Sequence, residues 1–237
     1  MTFCVIARDP QADLLGIALA TSPIAVGARC PFIRAGVGAV STQAYTDPRL
    51  GPLALDLLAR GHLPAQVLHE LSRQDPHFEW RQVGIVDRLG RSAVHTGSRC
   101  GPGESGQVTG DNYLVMGNYM LNEEVVPAMD AAWHASAGRL FEERLMATAI
   151  AARDAGGDMA GHRSACIVVH DADSHSRTDL RVDFAPKRPG EPDAIDQLAD
   201  MLERWKELIP YYKARPANPT IISWTAWLDA KGKPFHD

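Results

Sequence analysis

Apolar residues fill the first turnless stretch of the chain. Phe3 to Ala7 is an unbroken apolar run that reads as a buried strand. Asp9 to Asp13, interrupted by Pro10, is a turn, and Leu14 to Ala20 is a second apolar run, so residues 3–20 predict a hairpin. Gly36 to Gln43 (GVGAVSTQ) predicts a third strand, whose small residues allow close approach of backbone or ligand. Helical spacing then takes over. Pro52 to Arg60 is one helix, ended by Gly61, and Pro64 opens another with Val67, Leu68 and Leu71 on one face. Arg81 to Asp87 and Arg91 to Thr96 predict a second hairpin turning at Arg88 to Gly90. Gly101 to Gly110 (GPGESGQVTG) reads as a Gly-rich loop and Tyr113 to Gly117 as a strand. Glu123 to Ala135 and Arg139 to Ala155 are helices, the second closed by Gly156-Gly157-Asp158. Ala165 to His170 and Leu180 to Phe184 are strands joined by a polar turn, and Asp193 to Tyr212 is a final amphipathic helix.

This order is not the regular strand–helix alternation of a doubly wound sheet. Long hairpins and paired helices predict a layered α+β domain with largely antiparallel sheets. Residues 1–212 are expected to form one domain. The Pro-containing tail, 213–237, carries Trp224 and Trp227, residues that dock on their own domain or on a partner subunit. A homo-oligomer, a dimer or higher, is the corresponding expectation.

Composition narrows the class. The 237 residues are 45% hydrophobic and 22% charged, enough for one substantial core. A net charge of −5 argues against nucleic acid or an anionic membrane as partner. No apolar stretch reaches the roughly 18 residues of a membrane span, and the start lacks a basic and apolar leader pattern, so a cytoplasmic location is expected. Cys4, Cys30, Cys100 and Cys166 form no CxxC pair, which disfavours both disulfides and a zinc site. The turn holding His170, Asp171, Asp173 and His175 has metal-binding residue types, but solvated polar residues are ordinary in such a turn. Neither GxGxxG after a strand nor GxxxxGK[ST] nor GxSxG occurs. No cofactor or metal is expected.

Candidate chemistry begins at Thr2. If Met1 is removed, Thr2 carries a hydroxyl nucleophile and a free α-amine, whose ordinary pKa of about 8 lets it serve as general base near neutral pH. Arg8 follows the first strand and is suited to a substrate carboxylate or to a plain surface charge. Ser41-Thr42-Gln43-Ala44-Tyr45 ends the third strand with successive hydrogen-bonding side chains, which cap backbone or line a pocket. His95 ends a hairpin. Asn118, after Gly117, is a candidate oxyanion donor or an ordinary turn residue. Gly156 to Ala165 brings Asp158, His162 and Arg163 into the connection before a buried strand, the kind of loop that lines sites.

Taken in order, MTFCVIARDP, GVGAVSTQAYTDPRLGPLALDLL, RQVGIVDRLGRSAVHTG, GDNYLVMGN, GGDMAGHRSACIVV and TDLRVDF resemble the domain-of-unknown-function family 1028, itself similar to the N-terminal-nucleophile (Ntn) hydrolases. The resemblance runs from Thr2 to about residue 210. It implies a four-layer αββα sandwich of two largely antiparallel sheets, with the nucleophile first on the first strand. By that rule Thr2 is the nucleophile and base, Asn118 the oxyanion donor, and Arg8, Gln43, His95, Asp158 and Arg163 line the substrate pocket. The implied activity is hydrolysis of a C–N bond, amide, carbamoyl or ureide, in a small molecule. The rival expectation is an Ntn-like scaffold that binds a small metabolite without cleaving it. Position 4, commonly Ser in the family, is Cys4 here. Strand alternation puts it on the same face as Thr2.

Overall fold

The opening apolar run becomes β1 (Thr2–Asp9), paired antiparallel with β2 (Leu14–Thr21) from Thr2↔Thr21 to Asp9↔Leu14. The computed structural model describes residues 2–186, 188 and 190–234; Met1, on whose removal the reading of Thr2 turns, lies outside them. β1 and β2 are central strands, and both of their faces are covered. Phe3, Val5 and Ala7 pack on helices, whereas Cys4 and Ile6 pack toward a second sheet. This two-sided burial is why the sequence shows a continuous apolar run instead of alternation.

The remaining strands are β3 (Pro31–Arg34), β4 (Gly38–Ala44), β5 (Arg81–Asp87), β6 (Ser92–Thr96), β7 (Glu104–Gly110), β8 (Tyr113–Met120), β9 (Ser164–His170) and β10 (Thr178–Val182). They form a six-stranded sheet, β10-β9-β2-β1-β8-β7, and a four-stranded sheet, β3-β4-β5-β6, antiparallel throughout. Helices α1 (Leu50–Ala59) and α2 (Pro64–Gln74) cover the outer face of the smaller sheet through Leu55, Leu58, Val67 and Leu71. Helices α3 (Val125–Ala135), α4 (Phe141–Asp154) and α5 (Ala194–Trp205) cover the larger. The layers therefore run α, β, β, α, the expected α+β architecture. The sheets approach closely at Gly84, where a Cβ would meet Met116 Sδ at 2.8 Å. α4 is equally close to Gly16, where a Cβ would lie 2.6 Å from Leu145. A Cβ at either position would have to displace these core side chains.

Two expectations need correction, and one strand went unpredicted. Gly101 to Gly110, read as a loop, supplies β7, an edge strand hydrogen-bonded to β8 with a register shift between Glu104 and Gly106. Its glycines hide the alternation of a half-exposed strand. β3, only four residues long, was too short to leave a pattern. The helix expected over Asp193 to Tyr212 is two: α5 ends at Trp205, and α6 (Ile209–Ala214) restarts with Pro210 in its first turn. Proline has no N–H to continue an α-helical ladder, so it opens the second helix and cannot sit inside the first. After α6, the tail folds back and forms α7 (Trp224–Ala230). Trp227 Nε1 donates to Glu207 O at 3.2 Å and its ring packs 5.7 Å from that of Tyr211. Trp227 of the tail thus packs against the preceding α5–α6 segment. Among the described residues, no helix is long and apolar enough to cross a membrane.

Candidate active site

β1 begins between two polar neighbours, since Thr2 pairs with Thr21 of β2 on one side and Asn118 of β8 on the other. Because Thr2 shares the face of Cys4 and Ile6, its side chain lies on the inter-sheet side. There its hydroxyl is 3.1 Å from Thr21 Oγ1. Thr2 is buried, at 5% exposure.

Opposite Thr2 the smaller sheet carries Gln43 on β4 and Gln82 on β5, both fully buried and paired across the ladder. Their amides form one network whose orientation follows from its acceptors. Gln82 Nε2 donates to Gly117 O at 2.9 Å and Gly106 O at 3.3 Å. Backbone carbonyls only accept, so the NH2 group must face them and Gln82 Oε1 must face the other way. That oxygen accepts from Gln43 Nε2 at 2.6 Å and Asn118 Nδ2 at 2.9 Å. Gln43 Nε2 also reaches Thr2 O at 3.3 Å. Asn118 is thereby held with its nitrogen on Gln82. Its Oδ1, wholly buried, has no hydrogen-bond partner among the described residues, and an unsatisfied acceptor in a protein interior costs about 1–3 kcal/mol.

The backbone turns sharply just beyond both amides. Ala44, after Gln43, has φ 67°, and Tyr119, after Asn118, has φ 54°. The left-handed region is unfavourable for side-chain-bearing residues and recurs at functional sites. The two turns bring the rings of Tyr45 and Tyr119 to 6.3 Å, with Trp80 against Tyr45 at 5.0 Å. Desolvation, helped by a hydrogen bond with Tyr45, pushes the Tyr119 hydroxyl far above the ordinary tyrosine range, so it stays protonated.

A second chain segment closes the site from the helix side. Asp158 bridges to Met120 at the end of β8. Its Oδ2 accepts from Ser22 N at 2.8 Å and its Oδ1 from Ala160 N at 2.7 Å, so it pins the chain just after Thr21. Asp158 N donates to His162 Nε2 at 3.1 Å. An accepting Nε2 leaves the proton on Nδ1, which lies 3.1 Å from Asp193 Oδ2. Burial opposes the Asp193 carboxylate, yet the His162 hydrogen bond and the Ile195 and Asp196 N–H groups hold it below its ordinary range. Arg163 joins the same end through its backbone, its N donating to Thr21 O at 2.9 Å, while the residue itself is exposed.

Two sequence-selected residues lie elsewhere. Arg8 is at the far end of β1, roughly 20 Å of strand from Thr2, and pairs with Asp13 at 3.2 Å. His95 pairs with Val83, whose side chain belongs to the helix-covered core. Cross-strand partners share a face, so His95 points away from Thr2. It stacks on Phe78 at 4.1 Å, and its Nε2 lies 3.0 Å from Phe78 O. Sequence reasoning missed Thr21, Gln82 and Tyr119. Gln82 carried a usable signal, being polar at the inward-facing position of a strand that continues Val83, Ile85 and Val86. Cys4 shares the face of Thr2 but is buried in the inter-sheet core, where desolvation keeps its thiol protonated. Among the described residues, no three His, Cys, Asp or Glu side chains are grouped to hold a metal ion.

No curated protein matches the chain. Among solved structures it is similar to the crystal structure of a Silicibacter pomeroyi protein, with 30% identity and a TM-score of 0.77 over 86% of each chain. The ancestral β-subunit Anbu of Yersinia bercovieri is matched at 10% identity and a TM-score of 0.40, over 90% of this chain and 97% of that one. The Silicibacter protein is described as a DUF1028 protein. The sequence model of the Family of unknown function (DUF1028) matches residues 2–191, nearly the whole body that holds Thr2, Gln43, Gln82, Asn118 and Asp158, and the chain belongs to that family.

Proposed function

We propose that the protein is an Ntn-type amidohydrolase that cleaves a C–N bond of a small amide, carbamoyl or ureide substrate, with Thr2 as nucleophile. The observation that carries this reading is the placement of Thr2 at the very start of a central strand, hydroxyl inward, beside an Asn118 whose Oδ1 lacks a partner among the described residues. Strand register sets Thr2 directly across from Asn118. The proposal requires Met1 to be removed.

With Thr2 first in the chain, its neutral α-amine takes the Oγ1 proton as Oγ1 attacks the substrate carbonyl. The new C–O bond forms a tetrahedral oxyanion. Asn118 Nδ2 has a second N–H beyond the one given to Gln82, which supplies a donor for that oxygen. The C–N bond then breaks, the ammonium returns its proton to the leaving nitrogen, and water hydrolyses the ester on Thr2. Asn118 Oδ1 accepts an N–H, from the amine or from the substrate. Gln43, Asp158 and Arg163 are proposed as pocket residues. Arg8 and His95 are left out because of where they lie. No cofactor enters the scheme.

The test is a panel of small amides, carbamates and ureides offered to the native protein and to Thr2→Ala and Thr2→Ser. Turnover lost in Thr2→Ala and partly kept in Thr2→Ser supports the reading. Turnover retained in Thr2→Ala overturns it. Saturable binding without turnover, equal in Thr2→Ala, favours the binding scaffold instead.

A further inference from the structure

A separate cavity of about 570 Å³ lies between the β9–β10 turn and the segment running from α5 through α6. It falls in the size range of small-molecule sites, about 300–1,000 Å³. Asp171 follows β9, whose His170 pairs with Leu15 of β2, while Thr2 pairs with Thr21 at the opposite end. Six rungs of strand, roughly 20 Å, therefore separate the cavity from Thr2. Its outer wall lies beyond residue 191, where the family match ends.

The lining is partly preorganised. Trp205 and Tyr212 stack with ring centroids 5.3 Å apart and planes 19° from parallel, forming a flat aromatic wall. Trp205 is fixed by its Nε1 donating to Thr178 Oγ1 at 3.0 Å. Arg177 is fixed by its Nε donating to Glu142 Oε1 at 2.9 Å, and Glu142 is fully buried. Both Nη atoms of Arg177 have no hydrogen-bond partner among the described residues, so the planar fork of a locked guanidinium is open beside an aromatic wall. Arg215, also in the lining, has no ion pair among the described residues, and its contact is the Tyr211 ring at 5.8 Å. Lys213 is already held by Asp171 at 2.8 Å.

These groups define a ligand class. A guanidinium fork matches a carboxylate or a phosphate oxygen pair, and stacked rings favour a flat apolar body. Charge distinguishes the two anions. Asp171 and Asp173 line the same cavity, so it carries little net positive charge and suits one negative charge better than two. We propose that this cavity binds a planar or aromatic monocarboxylate, its ring against Trp205 and Tyr212 and its carboxylate on the Nη atoms of Arg177.

Calorimetric titration of the full chain with phenylacetate and indole-3-acetate tests this, with phenylacetamide and phenyl phosphate as comparators. One saturable site per chain is expected, with phenylacetamide at least about tenfold weaker, as loss of the charged contact requires. Arg177→Gln should weaken phenylacetate by about tenfold or more. Because that change leaves Glu142 without its cation and can unfold the chain, Tyr212→Ala, at the surface, is the second variant, with an expected loss of about fivefold. Thr2→Ala should bind as the native chain does. No saturable binding of either carboxylate overturns the proposal. So do equal binding of the amide, tighter binding of phenyl phosphate, undiminished binding in Tyr212→Ala, or loss of binding in Thr2→Ala.

Discussion

Gln82 Oε1 accepts a hydrogen bond from Asn118 Nδ2 at 2.9 Å, and this contact joins the two sheets beside Thr2. The same oxygen accepts from Gln43, while Gln82 Nε2 serves two backbone carbonyls. One side chain thus fixes which way both neighbouring amides face. Gln82→Leu should remove the acceptor and strand buried donors on Gln43 and Asn118, at about 1–3 kcal/mol for each stranded group. Urea unfolding should show a loss of about 3 kcal/mol. A loss below about 1 kcal/mol would mean the network is not the tie between the sheets.

Asn118 should affect chemistry more than stability. Its Oδ1 already lacks a partner among the described residues, so Asn118→Ala surrenders the contact to Gln82 and some packing. Turnover, once a substrate is in hand, should fall by about 100-fold or more, the usual effect of removing an oxyanion donor. The midpoint of unfolding should move little. A variant with native kcat and a large stability loss would make Asn118 a structural residue.

The Asp193 carboxylate gives a pH signature. Its folded-state pKa is depressed, so its contribution to stability is complete above the unfolded value of about 3.9 and disappears as pH falls through the folded value. Asp193→Asn keeps a helix-capping side chain for α5 but loses the charge facing His162. The variant should be less stable at pH 7, by about 1 kcal/mol, and the difference should close below about pH 3. Unfolding curves from pH 2 to 7 measure this. A difference that is constant across that range would contradict the linkage.

Ala44 is held at φ 67° beside the site. Glycine adopts that conformation without the penalty of about 1–2 kcal/mol that a Cβ brings, though it also loosens the unfolded chain. Ala44→Gly should therefore raise stability by about 0.5 kcal/mol, read from the urea midpoint. A clear destabilisation would show that the Ala44 methyl packs usefully enough to outweigh the strain.

The body of the fold was legible where burial was complete. β1, β2 and β9 are apolar on both faces, so their runs stood out, and Pro64 marked the start of α2. β7 was hidden because it is a half-exposed edge strand rich in glycine. The break between α5 and α6 was in fact written at Pro210, inside a span whose amphipathic spacing carried straight through it. At the candidate site, Thr2 was selected for a hydroxyl next to a removable Met1, and Gln43, Asn118 and Asp158 because polar residues end apolar strands or follow a glycine-rich connection; the fold brings these four to one end of the sheets. His95 and Arg8 satisfied the same description and lie elsewhere. Only sheet parity separates His95 from Gln82, and only distance along a strand separates Arg8 from Thr2. Neither quantity can be read until pairing is known. The proximity of Thr21 and Gln82 to Thr2 and Gln43 became visible through register alone.

Thr2, freed at its N-terminus, is proposed as the nucleophile. Intact mass and peptide mapping of the native protein after exposure to an electrophilic acyl probe test it most directly. The expected result is a chain lacking Met1, one acyl adduct per chain on the N-terminal peptide at Thr2, and no adduct in Thr2→Ala. A native chain that keeps Met1, or an adduct that persists unchanged in Thr2→Ala, would contradict it.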